Sequence, residues 1–328
     1  MAGGHVRKEP TVDIPSFKVE VSDEVSTILA PNFVIDLTST NAVPHSDDVA
    51  ITFPNLDAGS QGVKVIETAV LYVDMRRSTQ LSLRHHPDTV AKLYSAFVRA
   101  MTRCAKVFKG EVRGIIGDRV MMLFDSADCY ANAVYTAELI NSVCQHVINK
   151  HFPHEEVSFG IGIDHGRMLA TKTGIRRHGS AQQSYRSLVW LGRPANVASK
   201  LTDNANKPEE AQELVKLRVG YDYLHNGTSP LYVDEWPHEF VQKFTYDQAR
   251  GMMVAPNFHS FTVVKERIVT APATPPILMS KRVFDGFRTT RPFAREIQNG
   301  WFTKVNRRLT DVPDEVFGGD VIYTAFTA

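Results

Sequence analysis

From Glu67 onward the apolar residues fall into short runs and helical stripes, an order that residues 1–62 lack. Thr68 to Val73 (TAVLYV), rich in β-formers, predicts a central strand. Asp88 to Lys109 predicts a helix: Val90, Leu93, Tyr94, Phe97, Val98, Met101, Ala105 and Phe108 share one face, and Gly110 follows as a stop. Glu111 to Ile116 and Arg119 to Phe124 flank Gly117-Asp118 as a β-hairpin. Ser126 to His151 reads as a second amphipathic helix. Val157 to Ile163 and Met168 to Thr171 read as two strands around an Asp164-His165-Gly166 turn. A polar, basic arm over 172–185 precedes a strand over Ser187 to Leu191. Pro194 then opens a helix to Leu201, proline being tolerated in a first turn.

The order strand, helix, hairpin, helix, hairpin, strand, helix predicts an α+β fold. Its sheet is antiparallel-rich, with helices on one face, related to the ferredoxin-like split βαβ arrangement. Residues 1–62 read as an N-terminal extension of short strands and loops, and 63–328 as the main domain. Aromatic-rich, irregular sequence interrupts that domain at about 206–271. The pattern resumes at Pro275 to Phe287, with closing strands at Trp301 to Val305 and Val321 to Phe326.

Composition narrows the setting. Apolar residues make up 43% and charged residues 22% of the 328, an ordinary globular mixture. A formal net charge of +1 argues against a broad nucleic-acid-binding face. No apolar run is long enough to span a bilayer, and MAGGHVRKEP lacks the apolar core of a secretory signal, so a cytoplasmic protein is expected. Cys104, Cys129 and Cys144 form no CxxC pair and read as buried, reduced thiols.

Three features carry chemistry. Asp74 ends the apolar strand, in LYVDMRRST, and Asp118 sits in the hairpin turn, in IIGDRVMMLF. On neighbouring strands the two carboxylates converge, and paired hard oxygen ligands suit Mg²⁺ or Mn²⁺. In LGRPANVASKL, Asn196 and Lys200 lie four apart on one helix face, an amide and a cation suited to a ribose and a phosphate. Gly318-Gly319-Asp320 reads as a tight turn. His85-His86 and His151 with His154 are histidine pairs near helix ends with no cysteine beside them.

These blocks resemble the class III adenylate and guanylate cyclase catalytic domain. That family has an apolar strand ending in Asp with a Thr shortly after (Asp74, Thr79) and a G-D hairpin (Gly117-Asp118). It also has a GIGIxxG strand (Gly160 to Gly166) and a G-x-x-x-N-x-A-x-R/K-L block (Gly192 to Leu201). The resemblance covers about 65–204 and resumes at Pro275. It implies two metal ions at Asp74, Met75 and Asp118, and a triphosphate cradled by the backbone of Met75, Arg76, Arg77, Ser78 and Thr79. Asn196 would orient the ribose, Lys200 would steady the α-phosphate in place of the usual Arg, and Lys304 would reach the distal phosphate. The family draws the aspartates from one subunit and the Asn helix from the other, so a head-to-tail homodimer with shared sites is implied.

The departures concern the base. Where purine cyclases place their two base-reading side chains, this chain has Gly114 and Val189. Tyr72, on the strand face of Asp74, and Arg113 are the remaining candidates to approach the base. A stand-alone cyclase without the purine code resembles the pyrimidine cyclases of bacterial antiphage defence, the Pycsar systems. Those make cyclic UMP or cyclic CMP for a separate effector, with UTP here placed ahead of CTP. The alternatives are an adenylate or guanylate cyclase with a non-standard base pocket, and an inactive cyclase-like nucleotide-binding module.

Overall fold

The computed structural model describes residues 13–154, 156–174, 188–225, 227, 229–309, 311–312 and 315–327. The expected arm falls mostly on 175–187, outside the described residues, as does Ser187 of the expected strand. By chain contacts the molecule divides into two units, one of 1–206, 275–305 and 309–328, the other of 207–274 with 306–308.

In the first unit, α1 (Ile14–Leu29) and β1 (Val34–Thr40) precede the long central strand β2 (Ser60–Met75). There follow α2 (Ser78–Arg84), α3 (Pro87–Val107), β3 (Gly110–Ile116), β4 (Arg119–Phe124) and α4 (Cys129–Val143). A π turn, Cys144–Ile148, leads α4 into the short α5 (Asn149–His151). Next come β5 (Phe159–Thr171), β6 (Val189–Leu191) and α6 (Arg193–Asn204). The second unit holds β7 (Glu210–Tyr221), β8 (Leu231–Glu235), α7 (Pro237–Gln242), β9 (Thr245–Asp247), β10 (Met252–Val254) and β11 (Phe258–Ala271). The chain returns to the first unit as β12 (Ile277–Ser280), α8 (Lys281–Thr290), α9 (Arg295–Gln298), β13 (Thr303–Lys304) and β14 (Val316–Gly319).

The main sheet runs β13-β14-β12-β5-β2-β4-β3, with β1 beside β2 and β6 beside β5. Pairing is antiparallel except between β1 and β2 and between β5 and β12. Alternation along β2 sorts its side chains to two faces. Ala69, Leu71, Val73 and Met75 join the larger core with Phe97 and Met101 of α3 and Ala133, Val134 and Ile140 of α4. Ile66 and Val70 pack on the opposite side with Ala195 and Ala198 of α6. Helices therefore cover both faces, not one as the sequence pattern predicts. The second face is open to α6 because Gly162 carries no side chain. A Cβ there would lie 2.6 Å from Thr202 Oγ1 and closer still to the Ala198 carbonyl oxygen and Thr202 amide nitrogen.

Four other expectations need correction. Asp164-His165-Gly166 is not a turn: β5 runs unbroken through it, and the ladder with Val70, Ala69 and Thr68 of β2 overrides the local turn signal. Gly318-Gly319 is not a turn either but lies in β14, where a Cβ on Gly319 would meet the Trp301 carbonyl oxygen. The last closing strand is thus Val316–Gly319, and Thr324–Phe326 forms a 3-10 turn. Residues 14–29 form a helix that buries none of its side chains, so no core-facing stripe marks it in the sequence.

The segment read as irregular contains a three-stranded antiparallel sheet, β11-β7-β8. Its strands are hidden in the sequence because charged residues occupy much of their surface and pair across strands, as in Lys216–Glu266 and Arg218–Asp234. Val219, Tyr221 and Phe240 form its small core. At the core's edge the buried Glu235 accepts from Lys243 at 2.7 Å and from Tyr221 Oη at 2.5 Å.

Candidate active site

Antiparallel pairing of β2 with β4 brings Asp74, at the end of one strand, beside the hairpin tip that carries Asp118. Asp118 is half-buried, and its Oδ2 has no hydrogen-bond partner. Burial first, and then the Asp74 carboxylate, push the Asp118 carboxyl above the usual carboxylate range, while the Ser78 hydroxyl draws it back. Two neighbouring carboxylates, one with a buried orphan oxygen, form a pair that a divalent cation would satisfy. Two hard oxygen donors suit Mg²⁺ or Mn²⁺, although among the described residues no third His, Cys, Asp or Glu joins them as a ligand.

The loop after Asp74 is strained. Arg77 has φ +57° in the left-handed region, which costs a non-glycine residue roughly 1 kcal/mol or more. That bend turns the chain from β2 into α2 and exposes Arg77 and Thr79 while leaving Ser78 half-buried beside Asp118. The Arg76 amide already donates to the Ser158 carbonyl at 2.8 Å, so it is not free to cradle phosphate. The Arg76 side chain is likewise engaged: its Nη2 donates to the Thr202 carbonyl and, at 2.5 Å, to that of Ala205 at the C-terminus of α6. Met75 buries its side chain in the larger core, so only its main chain could serve a metal.

Asp74 has a partner that the sequence reading missed. Arg119 directs Nε (3.1 Å) and Nη2 (2.5 Å) to Asp74 Oδ2, Nη2 also to Asp203, and Nη1 to Ser199 Oγ at 2.8 Å. Burial opposes its charge, and the Asp74 and Asp203 carboxylates more than offset this, leaving the guanidinium pKa above its ordinary value. The available signal was an arginine directly after the G-D pair. Its acceptors lie far off in the chain, on β2 and α6.

Asn196 and Lys200 project from the exposed face of α6, and Lys200 pairs with Asp311 at 2.8 Å. The contacts that join α6 to Asp74 run through Ser199 and Asp203, not through these two. Lys304 lies on β13 and pairs with Glu315, on neither carboxylate. Tyr72 is half-buried between the sheet and α6, with its hydroxyl on Met121 Sδ at 3.0 Å.

Position 114 faces a cavity lined by the neighbours of Val189 but not by Val189 itself. Gly114 and Arg113 line this cavity of ≈ 330 Å³, whose other wall holds Leu188 and Trp190, and His45 also lines it. The β3–β4 register shifts between Val112 and Gly114, so Arg113 is the extra residue of a bulge. A bulge re-aims the side chain it carries. Arg113 is held by Glu111 (3.2 Å) and the His45 ring (3.3 Å).

The histidine pairs have aromatic neighbours: the His85 ring lies 5.4 Å from His154 and 5.8 Å from Phe152. Asp320, after the two glycines, accepts from Asn141 and Gln145 at 2.8 Å each. Among the described residues no helix is long and apolar enough to cross a membrane.

Comparison with known proteins agrees with these elements. The family described as "Adenylate and Guanylate cyclase catalytic domain" matches residues 63–212. A uridylate cyclase of Burkholderia cepacia is 29% identical over 179 residues, 53% of this chain and 72% of the relative. A cytidylate cyclase of Staphylococcus aureus is 29% identical over 116 residues, 32% of this chain and 27% of the relative. Among solved structures, the adenylyl cyclase CyaB from P. aeruginosa is 16% identical over 53% of this chain and 94% of its own, with a TM-score of 0.39. The match over residues 63–212 spans the carboxylate strand, the G-D hairpin, the GIGI strand and the Asn helix, and over these residues the chain is similar to the class III nucleotidyl cyclase catalytic domain.

Proposed function

We propose that this cyclase closes a pyrimidine nucleoside triphosphate, UTP ahead of CTP, into a 3′,5′-cyclic nucleotide. The observation that carries the reading is the cavity lined by Gly114, Arg113, Leu188 and Trp190. Neither Gly114 nor Val189 has a hydrogen-bonding side chain for a purine edge, and Arg113 enters on a bulge instead. A base whose polar edge finds no partner loses about 1 to 3 kcal/mol per buried group, enough to set preference. Relatives named as uridylate cyclases support the same base.

In this reading the ribose 3′-oxygen forms a bond to the α-phosphorus, the bridging P–O bond breaks, and pyrophosphate departs with the electron pair. The hydroxyl proton passes to solvent. Two Mg²⁺ or Mn²⁺ ions, held by Asp74, Asp118 and the Met75 carbonyl, would lower the hydroxyl pKa and neutralise the triphosphate. Asn196 orients the ribose, Lys200 meets the α-phosphate and Lys304 the distal phosphate, while the turn of Arg77, Ser78 and Thr79 faces the phosphate chain. Exposure of Asn196 and Lys200 on the outer side of α6 suits service to a second subunit's carboxylates, hence a head-to-tail homodimer.

Residues 63–328 form the catalytic domain, interrupted by the sheet of 207–274, with 1–62 as an extension. The product serves as a cytoplasmic second messenger in antiviral defence, acting on a separate effector. Incubation with equimolar ATP, GTP, CTP and UTP and Mn²⁺, read by mass spectrometry, tests the substrate. Cyclic UMP is the expected main product; cyclic AMP or cyclic GMP would overturn the pyrimidine reading.

A further inference from the structure

Arg119 holds one guanidinium against three acceptors at once: Asp74 on β2, and Ser199 and Asp203 on α6. The arrangement is uneven. Asp74 is 16% exposed and belongs to the carboxylate pair, whereas Asp203 is 48% exposed and lies outside it. Arg119 adjoins Asp118 in the chain, so its own backbone is fixed by the hairpin that carries the second carboxylate.

Arg119 holds Asp74 by Oδ2. A divalent cation on that carboxylate would draw on the same negative charge, so cation and guanidinium would each weaken the other's hold. If Arg119 let go of Asp74, it would still have Ser199 Oγ and the Asp203 carboxylate within reach of the same side-chain position. Without those two groups a freed guanidinium would be left half-buried and unpaired, which is unfavourable.

We infer that Arg119 is a positioning residue that competes with the metal for Asp74, and that Asp203 and Ser199 are its alternative seat, setting how readily Asp74 is released. The inference rests on the proposed metal role of Asp74 and Asp118. It concerns metal affinity, not the identity of the nucleotide. Arg119 keeps Asp74 ordered in the metal-free protein; Asp203 draws the guanidinium aside when metal arrives.

This predicts opposite effects from two residues of one network. Removing Arg119 frees Asp74 and tightens metal binding. Neutralising Asp203 leaves Arg119 more firmly on Asp74 and weakens it. The groups are partly exposed, so screening keeps the effects modest, about 3- to 10-fold each.

The experiment titrates Mn²⁺ into the full-length protein without nucleotide and reads free Mn²⁺ by electron paramagnetic resonance. Arg119→Gln should lower the dissociation constant about 3- to 10-fold, and Asp203→Asn should raise it by a similar factor. Loss of a nearby negative charge would weaken binding by itself, so the double variant R119Q/D203N is decisive. If Asp203 acts through Arg119, D203N has little effect in the R119Q background. An undiminished effect there, or both single variants shifting the same way, overturns the inference. Should R119Q fail to fold, judged by circular dichroism, Ser199→Ala takes its place: it removes part of the alternative seat and should weaken binding, and tighter or unchanged binding would overturn the inference. Mn²⁺ binding that survives in Asp74→Ala would overturn the metal assignment itself, an outcome distinct from those above.

Discussion

Replacing Gly162 by alanine should unseat α6, and the cost can be worked from the contacts. A Cβ at Gly162 would stand 2.6 Å from Thr202 Oγ1 and nearer still to main-chain atoms of Ala198 and Thr202. Ordinary contact begins at 3.4 Å, and helix backbone cannot swing aside as a side-chain tip can. The helix must therefore rise from the sheet by about 1 Å, a gap that forfeits roughly a quarter to a half of each van der Waals contact beneath it. Beneath it lie Val197, Ala198 and Leu201, all buried. Full burial of the two larger side chains is worth about 1.5 to 3 kcal/mol each. The loss then comes to about 1 to 3 kcal/mol, in the range of other overpacked cores. A reduced unfolded-state entropy returns about 0.4 to 1 kcal/mol of it.

Gly114→Ala is the control. Its Cβ would meet Met121 Cε at 3.4 Å, an ordinary contact, so stability should stay within about 0.5 kcal/mol of wild type. Hydrogen exchange of the α6 amides is the suitable assay, because the two units need not unfold together and a global midpoint would blur them. Gly162→Ala should speed exchange in α6 about 10-fold, and a 1 Å displacement of Asn196 and Lys200 should lower turnover about 100-fold. Wild-type exchange in α6 would refute the close seating of the helix.

Asp74→Ala and Asp118→Ala should each leave less than about 1% of cyclase activity at saturating Mn²⁺ with circular dichroism unchanged, since each removes half of a paired-carboxylate site. Asp118→Ala and Asn196→Ala chains, each inactive alone, should regain activity when co-expressed, one site of each heterodimer being intact; no recovery from isolated heterodimers would put both halves of a site in one chain. Gly114→Lys should fill the cavity beside Arg113 and lower UTP turnover about 10-fold or more, measured by pyrophosphate release. Buried Glu138 should make stability fall with pH. Burial first, and then Glu296, push its carboxyl up to about 9 from 4.5. The folded chain thus holds a proton that the unfolded chain has lost. Its contribution is fully present below the unfolded pKa and declines by about 1.4 kcal/mol per pH unit up to the folded one. Glu138→Gln should flatten that slope in urea unfolding at pH 6 and pH 8.5, and an unchanged slope would count against the assignment.

The parts of the candidate site that the sequence made legible are those with local signals. Asp74 ends an apolar run, Asp118 occupies a Gly-Asp turn, and Asn196 and Lys200 recur at helical spacing. What escaped depends on partners distant in the chain. Nothing local to Arg119 tells that Asp74, Ser199 and Asp203 surround it. The bulge at Arg113 arises from a register mismatch between two strands, each regular when read alone. Asp164-His165-Gly166 has turn chemistry, yet its pairing with β2 holds it extended. Gly318-Gly319 misled in the same way, since a strand needing close approach and a turn needing positive φ use the same residue.

Two arginines give these details a common sense. Arg76, next but one after Asp74, grips the Thr202 and Ala205 carbonyls at the end of α6, and Arg119, next after Asp118, grips the side chains of Ser199 and Asp203 on the same helix. Each carboxylate thus has a neighbouring cation fastened to the same helix of its own chain. That helix also carries Asn196 and Lys200, which face away from these carboxylates toward solvent. In the proposed head-to-tail dimer, the carboxylates of one chain would serve one site while its α6 serves the other. A change in the hold of Arg119 on Asp74 at the first site would then reach Asn196 at the second through one rigid element. Such coupling needs a physical connection with two arrangements, and the inferred transfer of the Arg119 guanidinium from Asp74 to Asp203 would provide one.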